Sequence, residues 1–219
     1  MPLLRPRRAR AASLLLPLAL ALPLAAQSKP PARPAPRPAA ARLGPGEYAT
    51  FVTNKGVFIA QLYPQDAPKA VANFVALAEG KQPYKDASTG GLSMAPFYNG
   101  LLFFRSVPGQ LLQTGDQLND GTGNTGYTLP FEKNGLKFNL AGRMALAQVP
   151  GDATSRGAQI FFTLAPMPSL DPQGFLIIGQ IVRGLRVARA LAAGPRQPGR
   201  TDVPKYPNTL ERVTIQVVQ

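Results

Sequence analysis

The residues with the clearest capacity for chemistry lie in the stretch 103–116. An apolar run typical of a buried strand contains Arg105, and a charge in such a run must have a partner. Proline and glycine at 108–109 predict a turn, and Leu111 and Gln113 follow it. A guanidinium, an amide and an apolar side chain therefore lie within nine residues. Such a set can hold an apolar group while the cation stabilises a polar group beside it.

The composition excludes several other kinds of active site. The sequence has no histidine and no cysteine. A hydrolase built on a Ser-His or Cys-His pair is therefore excluded, as is a transition-metal centre, since only scattered carboxylates remain as ligands. We expect no metal, no cofactor and no disulfide framework.

One apparent nucleotide-binding motif is rejected. Gly121, Gly123 and Gly126 have the G-x-G-x-x-G spacing of a dinucleotide-binding turn. That motif needs a helix N-terminus to receive the pyrophosphate, whereas here it leads into Tyr-Thr-Leu-Pro at 127–130. We interpret 121–126 as a glycine-rich loop.

The stretch 103–116 resembles the signature of the cyclophilin family of peptidyl-prolyl cis-trans isomerases. That signature is Phe-His-Arg, two apolar residues, Pro-Gly-Phe-Met, any residue, and Gln-Gly-Gly-Asp. The matching positions are Phe103, Arg105, Pro108, Gly109, Gln113, Gly115 and Asp116. The resemblance extends from about 48 to 218, through further blocks in the family's order at 54–56, 67–74, 142–147, 157–162 and 170–179.

The activity that this resemblance implies is rotation about the X-Pro bond. The rotation barrier of this tertiary amide is ~18–20 kcal/mol, and its uncatalysed exchange takes roughly tens to hundreds of seconds. Catalysis needs no acid, base or nucleophile. An apolar pocket holds the proline ring, and a cation or strong donor stabilises the twisted amide as its resonance is lost.

The resemblance also implies roles for individual residues. Arg105 would be the catalytic cation, Gln113 would orient it and contact substrate, and Phe161 would line the proline pocket with Leu111. Period-two alternation places Gln159 on the same strand face as Phe161, opposite the core face of 160, 162 and 164. The full set of expected substrate-binding positions is Leu111, Gln110, Ala147, Gln148, Gln159, Leu170 and Phe175. Of these, Ala147 and Gln148 would offer backbone groups to the residues before proline.

Each assignment has a structural alternative. Arg105 could be a structural arginine paired with Asp116 or Glu132. Phe161 and Leu111 could simply be core residues, and a buried glutamine such as Gln113 often only satisfies backbone groups.

Four positions depart from the family's pattern. Phe104 and Phe175 stand where the family has histidines, Gln110 where it has phenylalanine, and Ser169 where it has an aromatic residue. Phe104, Gln110 and Ser169 motivate an alternative, a cyclophilin-fold module or chaperone that binds proline peptides with little turnover.

The surrounding pattern predicts a mainly β fold. Strands at 48–53 and 57–63 form a hairpin, and a helix with Asp66 as its cap and Pro68 in its first turn follows, ending at Gly80. Further strands are predicted at 101–106, 111–113, 140–147, 159–164, 175–181 and 212–218, with a second helix at 185–193. These elements fit a closed eight-stranded antiparallel β-barrel capped by two α-helices, which is also the cyclophilin architecture.

The chain's start predicts export. Residues 1–26 have the arginine-rich start, apolar stretch and small terminal residues of a signal peptide. Residues 27–45 are a linker rich in Pro, Ala and Arg, and 46–219 form the isomerase domain. We expect a periplasmic or secreted protein, tethered to the membrane if the signal stays uncleaved, with no other membrane contact.

The net charge of +13 is unevenly distributed. Eight of the 24 basic residues and none of the 11 acidic ones lie in 1–42, which leaves +5 on the rest. The domain shows no basic run interleaved with aromatics, so we expect no nucleic-acid partner. A third hypothesis is an unrelated barrel that binds polyanions through its basic tail.

The expected partners are proline-containing polypeptides, such as unfolded or exported clients, and the expected state is a monomer.

Overall fold

A computed structural model describes residues 42–130, 132–148 and 155–219. The predicted signal segment 1–26 and positions 27–41 of the predicted linker lie outside the described residues. In the part of the chain that is described, none of the helices is long and apolar enough to cross a membrane.

Nine of the strands in the described residues form one antiparallel sheet. Its nine strands are β1 (Gly46–Thr53), β2 (Gly56–Leu62), β5 (Leu101–Leu102), β6 (Arg105–Val107), β7 (Leu111–Thr114), β8 (Arg143–Gln148), β9 (Ser155–Thr163), β10 (Ile177–Arg183) and β11 (Thr209–Val218). Their spatial order is β5-β11-β1-β2-β10-β8-β9-β7-β6. A separate ribbon pairs β3 (Tyr84–Lys85) with β4 (Leu92–Ser93). The helices are α1 (Pro68–Ala78), α2 (Leu185–Ala192) and a 3-10 helix, Pro168–Gln173.

The two edge strands of the sheet are neighbours in the chain. β5 pairs with β11 and β6 pairs with β7, and only Phe103 and Phe104 separate β5 from β6. The Thr114 hydroxyl on β7 donates a hydrogen bond to the Leu102 carbonyl of β5 (2.9 Å). The sheet thus returns on itself through one continuous segment.

The mainly β prediction is confirmed, with one correction to the strand count. The predicted strand 101–106 is two strands, because Phe103 and Phe104 are both buried and cannot alternate between a buried and an exposed face. The Phe103 amide donates to the carbonyl of Asn208 (2.9 Å), the residue before β11 begins. The predicted barrel of eight strands is therefore a curled sheet of nine among the described residues.

The first hairpin forms as predicted, with residues 54–55 as its turn and Thr53 opposite Gly56.

The N-cap of α1 differs from the prediction. Ala67, not Asp66, occupies the N-cap position, with no side-chain hydrogen bond of its own. Glu132 supplies the cap from a distant loop by accepting the amides of Lys69 (3.1 Å) and Ala70 (2.8 Å). A carboxylate there also favours the positive end of the helix dipole.

Other element ends differ from the predictions by a few residues. The predicted segments 111–113, 140–147, 159–164, 175–181, 212–218 and 185–193 become β7, β8, β9, β10, β11 and α2. β10 begins later than predicted because Gly174 is still in the left-handed turn that ends the 3-10 helix (φ 73°). The first helix ends at Ala78, two residues before the predicted Gly80.

Strand β9 separates two buried apolar clusters. Ile160, Phe162 and Leu164 belong to the main core between the sheet and the helices. Phe161 belongs to a smaller cluster on the opposite face. The predicted alternation along this strand is confirmed, and it turns Phe161 away from the main core.

Candidate active site

Arg105 and Gln113 lie opposite each other on β6 and β7. The Arg105 Nη1 donates to Gln113 Oε1 (3.3 Å), and its Nε donates to Asp202 Oδ2 (3.1 Å). The arginine side chain keeps 44% of its surface exposed. The guanidinium is thus anchored at two points and still open to the cleft.

The amide of Gln113 extends this contact inward. Its Nε2 donates to Gln159 Oε1 (3.0 Å), and Gln159 Nε2 donates to the carbonyls of Gly121 (3.2 Å) and Gly123 (2.7 Å). Gln159 is buried, so these bonds also satisfy an amide that burial would otherwise penalise. A line of hydrogen bonds therefore runs from Arg105 to the glycine-rich loop.

The glycine-rich loop is held by Asp116. The buried Asp116 carboxylate accepts the amides of Leu118 (2.9 Å), Asp120 (3.2 Å) and Gly121 (2.6 Å). A Cβ at Gly123 would overlap this carboxylate, so the loop requires glycine there. Residues 127–130 are not helical, in agreement with our rejection of a nucleotide-binding motif.

A cavity of about 360 Å³ opens beside Arg105, and we call it the apolar cavity because aromatic and aliphatic side chains make up more than half of its lining residues. Phe161 forms its floor, stacked near-parallel on Phe138 (centroids 6.0 Å apart) and edge-on to Phe175 (5.1 Å). The remaining walls are Arg105, Val107, Gln110, Leu111, Gln113, Ala147, Gln148, Met167, Leu170, Gln173 and Phe175. A floor of aromatic rings with a cation at the rim suits a proline ring and its amide.

A second, more polar cavity of about 600 Å³ lies on the other side of Arg105. Arg105, Gln113, Ala147 and Gln148 line both cavities. The second one is completed by Phe104, Asn119, Asp120, Gly121, Gln159, Gln197, Arg200, Asp202 and Val203. A peptide spanning both cavities must pass the guanidinium.

All ten predicted site residues lie in these two cavities. Gln159 lines the polar cavity, and the other nine line the apolar one. Ala147 falls at a register shift between Leu146 and Gln148, an irregularity in the β8–β9 ladder. The Gln148 side chain donates to the Gly174 carbonyl (2.7 Å). Leu111 is both buried and at the cavity wall.

Both ion-pair partners predicted for a structural Arg105 are wrong. Asp116 holds its own loop, and Glu132 caps α1. The partner is Asp202, which sequence reasoning missed because it lies 97 residues further along the chain. Met167, which lines the apolar cavity, and Phe138, which stacks on Phe161, were also missed, because neither lies within a motif of the family.

The four departures from the family pattern fall at different places. Phe175 packs on Phe161 and forms part of the apolar wall, whereas Phe104 is buried beside the polar cavity. Gln110 is exposed at the apolar cavity's rim. Ser169 lies on the 3-10 helix and lines neither cavity. Two apolar rings thus replace polar ones without opening the pocket floor.

The charge of Asp202 is secured by its surroundings. Partial burial would raise the pKa of its carboxyl group, but the hydrogen bond and charge of Arg105, followed by those of Arg200, lower the pKa below its usual value. Asp202 is therefore ionised at neutral pH. Arg105 thus lines both cavities as one member of an ion pair.

Comparison with known proteins identifies the class. Residues 48–215 match the family model described as cyclophilin type peptidyl-prolyl cis-trans isomerase/CLD. Peptidyl-prolyl cis-trans isomerase B of Streptomyces anulatus is 36% identical over 173 residues, covering 77% of this chain and 96% of that relative. Peptidyl-prolyl cis-trans isomerase A of Mycobacterium tuberculosis is 33% identical over 171 residues, covering 76% and 91%.

Solved structures agree on the fold. A cyclophilin type isomerase of Cryptosporidium parvum, crystallised in the presence of the dipeptide Ala-Pro, superposes with a TM-score of 0.64 at 23% identity, covering 78% of this chain and 99% of that one. A second structure of that protein gives a TM-score of 0.65 at 23% identity, with 79% and 99% covered. The chain belongs to the cyclophilin family. It is an enzyme, a peptidyl-prolyl cis-trans isomerase, as the sequence predicted.

Proposed function

We propose that this isomerase turns over X-Pro bonds at the junction of the two cavities, with Arg105 as the catalytic cation. The proline ring enters the apolar cavity over Phe161, which fixes the ring while the preceding carbonyl remains free to rotate. As the amide twists, its nitrogen loses resonance and becomes basic, and a nearby guanidinium stabilises that state more than the planar one. The observation that carries this proposal is the position of Arg105 at the rim shared by both cavities.

Gln113 and the backbone at Ala147 and Gln148 have supporting roles in this mechanism. Gln113 restrains one guanidinium nitrogen through its Oε1 while Gln159 restrains Gln113 in turn. The ladder irregularity at Ala147 lies beside both cavities, where an extended peptide can pair with main-chain groups. A proline peptide would thus be held by pairing on one side and by ring burial on the other.

The substrate class follows from the same geometry. The neighbouring structure of the Cryptosporidium parvum protein was determined in the presence of Ala-Pro. An apolar cavity of about 360 Å³ with an aromatic floor has room for a proline ring here as well. We propose proline-containing polypeptides as substrates, bound by a monomer without metal or cofactor.

NMR exchange spectroscopy on a short peptide with one Ala-Pro bond tests the activity and its mechanism together. The full chain should accelerate cis/trans exchange, and Arg105→Ala should lose most of the acceleration. Equal rates for parent and variant would show that Arg105 is not the catalytic cation.

The second candidate is a module that binds proline peptides with little turnover. Phe104 and Gln110 favour it, because both stand at the cleft with side chains unlike the family's. Peptide signals that shift on binding, with no acceleration of cis/trans exchange, would establish this function instead.

We further propose that the enzyme assists the folding of exported proteins. The signal-like layout of residues 1–26 and the Pro/Ala/Arg-rich linker support this placement in the periplasm or outside the cell. Mass spectrometry of the protein from fractionated cells tests it. We expect an N-terminus near residue 27 in the exported fraction, and an intact protein confined to the cytosol would refute the proposal.

A further inference from the structure

The segment 195–205 brings a carboxylate to the catalytic arginine. Asp202 Oδ2 accepts Nε of Arg105 (3.1 Å), and its Oδ1 accepts Nη2 of Arg200 (3.4 Å). The Asp202 backbone is attached to the same strand as Arg105, because its carbonyl accepts the Ser106 amide (2.8 Å). Both the main chain and the side chain of Asp202 are therefore fixed relative to Arg105.

Segment 195–205 is itself closed by main-chain hydrogen bonds. They join Gln197 to Val203 (3.0 Å), Arg200 to Gln197 (3.0 Å) and Lys205 to Pro195 (3.0 Å). Arg196 and Pro204 also form an isolated antiparallel bridge. A segment closed in this way can hold a side chain at a defined position.

The guanidinium of Arg105 is hydrogen-bonded from two sides, by Asp202 and by Gln113. Asp202 takes Nε from one side, and Gln113 takes Nη1 from β7. Among the hydrogen bonds of the described residues, Nη2 of Arg105 is not used. Fixing Nε and Nη1 defines the plane of the rigid guanidinium fork and leaves its remaining nitrogen for substrate.

We propose that Asp202 is a positioning residue for catalysis, holding Arg105 in the orientation that meets the twisting X-Pro amide. This inference rests on the proposed role of Arg105. The carboxylate has two opposing effects, since it orients the cation and also offsets part of its charge. Arg200 also pairs with Asp202 and offsets part of its negative charge. We therefore expect the orienting effect of Asp202 on Arg105 to exceed its reduction of the positive charge.

The competing explanation is that Arg105 and Asp202 form a surface ion pair with no effect on turnover. The Arg105 and Asp202 side chains are 44% and 26% exposed, and ion pairs this open contribute little to stability. The two explanations therefore differ in turnover rather than in stability. Only a positioning residue changes the on-enzyme exchange rate while leaving the free energy of unfolding nearly unchanged.

The test compares Asp202→Ala with Asp202→Asn in the full chain, measuring kcat and KM for the Ala-Pro peptide by NMR exchange. Asn keeps an oxygen that can accept the Nε hydrogen, and Ala does not. We expect Asp202→Ala to lower kcat about 10-fold, less than the roughly 10²-fold cost of a 1 Å misplacement. KM should change less than about 2-fold because the apolar cavity still holds the proline ring. Asp202→Asn should stay within about 3-fold of the parent.

Glu211→Gln provides the matched control. Glu211 is exposed on β11, lines neither cavity, and its substitution makes the same change in net charge as Asp202→Asn. The parent and all three variants should share one melting temperature within a few degrees. Parent-like kcat in Asp202→Ala would overturn the proposal, as would equal losses in Ala and Asn accompanied by a lowered melting temperature.

The Nε–H resonance of Arg105 separates failure of this inference from failure of the proposed function. Loss of the Asp202 hydrogen bond should move and broaden this resonance in Asp202→Ala but not in Glu211→Gln. If the parent shows no exchange activity, the catalytic proposal fails, and the resonance alone still decides whether Asp202 positions Arg105. An unchanged resonance in Asp202→Ala would overturn the positioning role.

Discussion

The two cavities on either side of Arg105 are built from the same strands by different physical means. β7 contributes Leu111 to the apolar cavity and Gln113 to both, whereas β9 contributes Phe161 to the first and Gln159 to the second. Ring packing holds the apolar cavity together. Hydrogen bonds that reach across the fold to loops hold the polar one.

This difference separates stability from turnover. Burial of apolar surface adds to the free energy of unfolding in proportion to the area removed from water. The apolar side chains that line this cavity therefore also stabilise the fold. The polar cavity contains an exposed ion pair, which orients groups at little net gain in stability. Its buried glutamine, Gln159, is the exception, because removing a buried hydrogen-bonding group leaves its partners unsatisfied. Substitutions on the two sides should therefore be distinguishable by which quantity they change.

The largest effect is expected at the floor of the apolar cavity. Phe161→Ala removes a ring that is 3% exposed and in contact with Phe138 and Phe175. We expect the free energy of unfolding to fall by about 3–5 kcal/mol, measured by urea denaturation. Phe161→Leu should cost clearly less. A loss under about 1 kcal/mol for the alanine variant would mean that the cavity floor is not part of the core.

Arg105→Ala should give the opposite pattern. Removing one transition-state donor should lower kcat/KM about 10²–10³-fold, whereas the free energy of unfolding should change by less than about 1 kcal/mol. Peptide exchange by NMR and urea denaturation on the same samples give both quantities. Arg105→Lys keeps the charge but not the fork, and should recover only part of the rate. A large loss of stability in either variant would contradict the division between the cavities.

Gln159→Leu should affect both quantities, because this residue is polar and buried. The substitution leaves the carbonyls of Gly121 and Gly123 without their donor and Gln113 without its acceptor. We expect a loss of about 1–3 kcal/mol in the free energy of unfolding together with reduced turnover. Gln173→Leu, an exposed glutamine at the apolar rim, is the matched control for stability. Equal stability of the two variants would show that the relay adds nothing to folding.

The smallest effect is expected away from both cavities. Glu132→Gln keeps an acceptor for the first turn of α1 but removes the charge that favours the helix dipole. The free energy of unfolding should fall by about 0.3–1 kcal/mol with unchanged turnover. Thermal unfolding and peptide exchange measure the two quantities. Asp66→Asn, at the position wrongly predicted as the cap, should have no effect on stability.

Local sequence was sufficient for much of the fold. The first hairpin, the alternation along β9 and the existence of both helices follow from turn residues and periodicity, which depend only on near neighbours. The division of 101–106 into two strands could not be predicted this way. It depends on which strands lie on either side of Phe103 and Phe104, and these come from distant parts of the chain.

The same distinction applies to the site. The sequence by itself determined the family, and the resemblance to that family pointed to ten residues that all lie among those lining the two cavities. Only the tertiary structure decided that Asp202 pairs with Arg105 and that Glu132 caps α1. A carboxylate carries no local pattern that names its partner, because an ion pair forms wherever the folded chain brings opposite charges together. Motifs preserve the spacing of residues along one segment, whereas contacts between segments exist only once the sheet has curled.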